Sequence, residues 1–148
     1  MKTCQDIMTQ SPACCLADDK VYAVAQQMQS ENVGSIPVVE NHETKKLIGI
    51  ITDRDLAVRV VGASRDTTST QASDIMTPQP LTCYPTDDLD STMDVMANHQ
   101  IRRIPVINQD GQLVGIIAQA DVATRLHNLN KVGEMLGQIS QPELASGG

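Results

Sequence analysis

Asp6-Ile7-Met8-Thr9 returns as Asp74-Ile75-Met76-Thr77, 68 residues later, and this recurrence decides how the 148-residue chain is read. At the same offset Pro12 meets Pro80, Cys15 meets Cys83, Asp19 meets Asp87, and Met28 meets Met96. Ile36-Pro37-Val38 likewise meets Ile104-Pro105-Val106. The offset then falls to 66: Leu47-Ile48-Gly49-Ile50-Ile51 meets Leu113-Val114-Gly115-Ile116-Ile117, and Asp55 meets Asp121. Self-similarity of this kind marks a repeated supersecondary unit. A two-residue change between matching blocks is what a hairpin loop of variable length produces. One loop covers residues 41–45; the other is the tighter Asn108-Gln109-Asp110-Gly111, whose Asp-Gly is a turn signal.

Each copy reads strand, helix, strand, strand, helix. A short extended segment (14–16 and 82–84) follows the Asp-Ile-Met-Thr turn. Val21, Val24, Ala25 and Met28 then recur at helical spacing, as do Leu89, Met93 and Met96. Pro85-Thr86-Asp87-Asp88 is a helix start in which Thr86 can cap. Two apolar strands follow in each copy, 35–40 with 46–52 and 103–107 with 112–118. A second helix runs from Asp53 to about Val61 and from Gln119 to about Leu136. The Ser-, Thr- and Gly-rich stretch 62–73 reads as a linker. The expected division is a first repeat with its linker over 1–68, a second repeat over 69–140, and a disordered tail over 141–148. The fold class is α+β. A unit this small buries little surface alone, so the two copies are expected to pack sheet to sheet, creating two related clefts.

Composition narrows the function. The chain carries 11 Lys and Arg against 18 Asp and Glu, a formal charge of −7. That balance argues against nucleic acid, whose phosphates require clustered cations. Two tyrosines, with no Trp or Phe, leave no stacking platform for single strands. No apolar run approaches membrane-spanning length, and the first residues lack a signal-peptide core, so a cytoplasmic protein with no membrane partner is expected. The cysteines, Cys4, Cys14, Cys15 and Cys83, show no C-x-x-C spacing. They read as reduced thiols packed as small hydrophobes, and no metal site is expected.

The ordered motifs Asp-Ile-Met-Thr, Gly-Ser-Ile-Pro-Val-Val, Leu-Ile-Gly-Ile-Ile-Thr-Asp-Arg-Asp-Leu, Ile-Arg-Arg-Ile-Pro-Val and Leu-Val-Gly-Ile-Ile resemble a tandem pair of cystathionine-beta-synthase (CBS) domains. Such a pair is often called a Bateman module. The resemblance covers roughly residues 3 to 130, and it is to the stand-alone prokaryotic kind, with no further domain expected. It implies two β-α-β-β-α repeats related by a pseudo-twofold axis. It also implies a non-catalytic sensor that binds an adenosine-containing ligand, AMP, ADP or ATP, between the repeats and signals to a partner protein in trans. No cofactor is implied.

The family's ribose motif, Gly-x-x-Thr-x-x-Asp, is matched by Gly49, Thr52 and Asp55. The second copy has Gly115, Ala118 and Asp121 and lacks the hydroxyl. Thr52-x-x-Asp55 is equally close to a capping box, and the two readings are compatible. Asp53 and Asp55 make that helix start acidic, which suits ribose hydroxyls rather than phosphate. Only four residues in 69–148 are basic, and two are the adjacent Arg102 and Arg103. The resemblance places these on the phosphate, although a solvated surface pair is the plainer reading. Arg54 assists the phosphate or pairs with solvent-facing acid. Met8, Thr9, Val38 and Ile50 are adenine-wall candidates by family position, with core packing the simpler account of Val38 and Ile50. One cleft therefore combines Thr52 and Asp55 with Arg102 and Arg103. The other combines Ala118 and Asp121 with Gly34 and Ser35.

Two other functions compete with the sensor. An enzyme is disfavoured because no nucleophile–base pair, Gly-rich phosphate loop or H-E-x-x-H occurs. A structural interaction protein with empty clefts and an S-adenosylmethionine binder remain as alternatives. Apolar residues on the second helices (Leu56, Val58, Val60 and Val61; Val122, Leu126, Leu129, Val132, Met135 and Leu136) predict a homodimer.

Overall fold

The computed structural model describes residues 1–140, with side chains through residue 131. The expected tail over 141–148 and the side chains of Val132, Met135 and Leu136 lie outside the described residues. The elements run α1 (Cys4–Ile7), β1 (Thr9–Gln10), β2 (Cys15–Leu16), α2 (Val21–Glu31), β3 (Ser35–Val39), β4 (Leu47–Thr52) and α3 (Asp53–Asp55). A π-helical turn, Leu56–Val61, follows. Then come α4 (Ala72–Ile75), β5 (Thr77–Pro78), α5 (Leu89–Asn98), β6 (Arg103–Ile107), β7 (Leu113–Ala118) and α6 (Gln119–Ser140).

The two expected hairpins form, β3 with β4 and β6 with β7, and their registers match. Pro37 faces Ile50 and Pro105 faces Ile116. Both hairpins carry an irregularity at the equivalent step, after Val38 and after Val106. The pseudo-twofold relation thus extends to a bulge, a feature that re-aims the strand locally.

The short Asp-Ile-Met-Thr segments cross between repeats. β1 pairs antiparallel with β7, so the sheet of the second repeat has the order β1-β7-β6. β5 pairs with β4, giving the first repeat β2-β3-β4-β5. The cores follow the same exchange. Ala72 and Ile75 lie with Val21, Val24, Ile36 and Ile51, whereas Cys4 and Ile7 lie with Leu89, Met96, Ile104 and Ile117. Each exchanged methionine covers a glycine of the receiving sheet. A methyl group at Gly49 would meet Met76 Sδ, and one at Gly115 would meet Met8 Sδ. The glycines are required here because the thioether occupies the space a Cβ would take.

A pair of equivalent arginines fastens the exchange. Arg59 Nη1 donates to the Ile75 carbonyl at 3.2 Å, and Arg125 Nη1 donates to the Ile7 carbonyl at 3.0 Å. Each ties the second helix of one repeat to the C-terminal end of the short helix that arrives from the other. The sheets also meet edge to edge, through Leu47 N–H to the Gly111 carbonyl and Leu113 N–H to the Lys45 carbonyl.

Three local expectations are corrected, and the linker gains a feature the sequence did not show. Asp88, not Thr86, caps α5: its Oδ2 accepts from Ser91 N–H at 3.0 Å, because the helix begins at Leu89 and Thr86 lies too far upstream. Ala25 is exposed, leaving Val21, Val24 and Met28 as the buried stripe of α2. The helix from Asp53 is α-helical for one turn only and then widens into the π turn. The linker is strapped down: the Thr67 and Thr70 carbonyls accept from Tyr22 and Val21 N–H, the first donors of α2. Among the described residues no helix is long and apolar enough to cross a membrane.

Candidate functional site

Two clefts lie where the repeats cross, and they occupy equivalent places. The first has a volume of about 800 Å³. Its walls come from the end of β4 and the start of α3 (Ile50, Thr52, Asp53, Arg54), from residues 77–81, and from 99–103 before β6. The second, about 510 Å³, is built from the matching pieces: 116–121, 9–13 and 31–35. In both, backbone in the left-handed region shapes the wall. Gln79 (φ 46°) and Gln100 (φ 55°) stand in the first, and Ser11 (φ 47°) and Asn32 (φ 53°) in the second. Non-glycine residues rarely adopt this conformation, and such positions concentrate at ligand sites.

The first cleft brings together Thr52, Arg54, Ile50, Arg102 and Arg103. Arg103 is the structural hinge of the region. Its guanidinium lies 3.7 Å from Asp53 Oδ1 and runs beneath Gly34, where a methyl group would collide with it. Arg103 therefore lines both clefts. Its ion pair is open to water, with Asp53 65% and Arg103 25% exposed, and such pairs contribute about 0–1 kcal/mol. An incoming anion can displace it at little cost. Arg102 is exposed and has no ion pair among the described residues. His99 is anchored by its Nδ1, which donates to the Val95 carbonyl at 3.0 Å.

Asp55 does not line the cleft. Its carboxylate accepts from Thr52 N–H at 3.0 Å while Thr52 Oγ1 accepts from Asp55 N–H at 3.1 Å, a complete capping box. The other carboxylate oxygen is 3.7 Å from Arg59 Nε. The capping reading of Thr52-x-x-Asp55 describes this geometry, and Asp55 reaches the cleft only through Thr52. Asp121, which has no Thr three residues before it, does line its own cleft.

The strand exchange separates Met8 and Thr9 from Thr52. Thr9 lines the second cleft, and Met8 packs on Gly115. Thr77, the equivalent of Thr9, lines the first cleft instead. Val38 is fully buried, and Ile50 is 7% exposed with a face on the cleft. Sequence reasoning missed Pro80, Leu81 and Ile101, the apolar floor of the first cleft. Their signal was the offset itself, which pairs them with Pro12, Ala13 and Val33 of the second.

The model of the CBS domain family matches residues 4–62 and 72–128. The chain is 35% identical to the CBS domain-containing protein YhcV of Bacillus subtilis over 144 residues, covering 97% of this chain and 99% of that protein. A putative acetoin utilization protein (AcuB) from Vibrio cholerae has a similar structure, with a TM-score of 0.79, 27% identity, and coverage of 91% of this chain and 97% of that one. CBSX2 in complex with AMP shares the fold at a TM-score of 0.75 and 22% identity, over 87% of this chain and 98% of its own.

Proposed function

The chain belongs to the CBS-domain family, and from that premise we propose that it is a non-catalytic regulatory module. In this reading it binds an adenine nucleotide, AMP, ADP or ATP, in the first cleft and passes the occupancy of that cleft to a partner protein. The observation that carries the reading is the charge of the cleft: Arg54, Arg102 and Arg103 face it against the single carboxylate of Asp53. The phosphate lies at Arg102 and Arg103, with Arg54 assisting. The ribose lies toward Thr52, whose hydroxyl is fixed by the capping box. The base rests against Ile50, Pro80, Leu81 and Ile101. That a CBS-pair protein of this fold has been seen with AMP supports the choice of ligand class at the level of the fold.

Signalling follows from where the cleft stands. A nucleotide there touches Thr52 and Ile50 of the first repeat and Arg102 and Arg103 of the second. It therefore favours whichever mutual setting of the repeats lets it make both sets of contacts, and its leverage equals its differential affinity for the two settings. The proposed homodimer uses Val58 and Val61, which are 54% and 74% exposed on the second helix of the first repeat. Leu126 and Leu129 are half-buried and pack against their own core. Light scattering at micromolar concentration reads the oligomer: a single-chain mass unchanged on dilution excludes it.

Equilibrium dialysis against AMP, ADP, ATP, adenosine and S-adenosylmethionine tests the ligand. The phosphorylated nucleotides are expected to bind at least about tenfold more tightly than adenosine, the effect of one charge-assisted hydrogen bond. They should be recovered chemically unchanged. Binding of none of them favours the interaction protein, tighter binding of S-adenosylmethionine favours that ligand, and turnover overturns the non-catalytic reading.

A further inference from the structure

Two of the four thiols meet across the repeats. Cys4 enters the second core on α1, and Cys83 forms an isolated parallel bridge with Val106 of β6. Both are buried, at 0% and 6% exposure. Cys4 Sγ donates to Thr92 Oγ1 at 3.2 Å, and the Cys83 thiol lies in the same buried cluster. Backbone bonds hold both residues in place: Cys4 N–H to the Asp87 carbonyl at 2.9 Å, and Cys83 N–H to the Pro105 carbonyl at 3.1 Å. A pocket of about 260 Å³ opens at Cys83 and at Thr92, the hydrogen-bond partner of Cys4, with Asp87, Asp88 and Ser91 also in its lining.

The first repeat supplies the control. The offset of 68 maps Cys4, Cys83 and Thr92 onto Ala72, Cys15 and Val24, which lie together in the first core. One thiol and two apolar groups fill that position satisfactorily. A second thiol and a hydroxyl are therefore not needed for packing in the second core, and together they make a polar cluster beside a small pocket.

We propose that Cys4 and Cys83 are a redox-active pair that a hydroperoxide of the size of hydrogen peroxide converts to a disulfide. Cys4 is the attacking sulfur. The contact with Cys83 holds its thiol below the usual range, against the opposing effects of burial and of the nearby carboxylates of Asp87 and Asp88. The same contact and burial push the Cys83 thiol up. Thiolate rather than thiol is the nucleophile. The Cys4 thiolate attacks one peroxide oxygen, the O–O bond breaks, and the departing hydroxide takes up a proton to leave as water. Cys4 is then a sulfenic acid. The Cys83 sulfur gives up its proton and attacks Cys4 Sγ, and the sulfenic oxygen leaves as a second water. Two thiols and one hydrogen peroxide thus give one disulfide and two waters. The bond would staple α1, and with it β1, to the second repeat. Since Thr9 and Gln10 of β1 wall the second cleft, oxidation fixes that wall.

The test treats the reduced full-length protein with stoichiometric hydrogen peroxide and maps peptides by mass under non-reducing conditions. A Cys4–Cys83 linked peptide is expected, two hydrogens lighter than the sum of its parts, with a loss of two of the four free thiols. Dithiothreitol should restore them, and the thermal midpoint should rise in the oxidised form. Cys4→Ala copies the residue at the equivalent place in the first core and should fold, keep its remaining thiols reduced at the same peroxide dose, and show no rise in midpoint. Oxidation confined to Cys14, cross-linking between chains, or a persistent thiol pair at peroxide excess overturns the proposal. So does an unchanged response in Cys4→Ala.

Discussion

The two clefts are built on the same backbone and differ in charge. Position by position, Arg54 of the first answers to Ala120 of the second, His99 to Glu31, Arg102 to Gly34, and Arg103 to Ser35. Three guanidinium groups and one carboxylate face the larger cleft; Arg103 alone faces the smaller one, against Glu31 and Asp121. An anion is drawn to the first and has little reason to enter the second. The repeat has thus kept its architecture and divided its electrostatics, and Gly34 shows how. By having no side chain it leaves room for Arg103 to lie across the boundary and serve the first cleft from beneath the second. The asymmetry is a packing arrangement as well as a list of charges.

Removing the cations should have the largest effect. Arg102→Ala with Arg103→Ala is expected to weaken AMP or ATP binding by roughly a hundredfold, about 2.8 kcal/mol, since each charge-assisted bond contributes about 1.5–3 kcal/mol. Adenosine binding should change little. Calorimetry on both ligands checks this, and equal losses for nucleotide and nucleoside would remove the phosphate role from these arginines. Gly34→Ala sharpens the same point without touching a charge. Its methyl group displaces the Arg103 guanidinium, so nucleotide affinity should fall by about tenfold while Arg102 continues to act. An unchanged affinity would mean that Arg102 alone holds the phosphate.

The second comparison concerns the exchange of strands. Gly49→Ala and Gly115→Ala each drive a Cβ into a methionine sulfur at the crossing of the repeats. Each should lower stability by about 1–3 kcal/mol, the usual range for overpacking a filled core. Urea denaturation measures the loss. Because Met76 precedes Thr77 in the first cleft, and Met8 precedes Thr9 in the second, only Gly49→Ala should also weaken nucleotide binding. Equal effects of the two substitutions on binding would deny that the clefts differ.

Much of this was legible in the sequence, for physical reasons that can be named. The hairpins were legible because Asp-Ile-Met-Thr, Ile-Pro-Val and the Gly-Ile-Ile strands recur in order and the only change of offset falls in a turn. The imbalance of the clefts was legible because Arg102-Arg103 matches Gly34-Ser35. The exchange was not. Thr9-Gln10 and Thr77-Pro78 are two-residue strands, and nothing in so short a segment says which sheet edge it will join. Only the pairing with Gly115 and Gly49 fixes it. That one ambiguity left Met8 and Thr9 as adenine-wall candidates with no cleft assigned to them. Asp55 was ambiguous for a different reason: a capping box and a ribose-facing carboxylate use the same residues at the same spacing.

The smallest expected effect separates those two roles of Asp55. In the first repeat its carboxylate accepts from Thr52 N–H and stands near Arg59; in the second, Ala118 offers no hydroxyl and Asp121 faces the cleft. Asp55→Ala should therefore lower stability by about 0.5–2 kcal/mol, the usual loss for a cap. Asp121→Ala, at an exposed site outside any capping box, should stay within about 0.5 kcal/mol of the parent. Asp55→Asn keeps an acceptor for Thr52 N–H, so it should recover most of the stability. Its effect on nucleotide affinity then reads the remaining role. If affinity returns together with stability, Asp55 acts by positioning Thr52. If stability returns and affinity does not, the carboxylate turns out of its cap to meet the ribose, and the first cleft is remodelled by its own ligand.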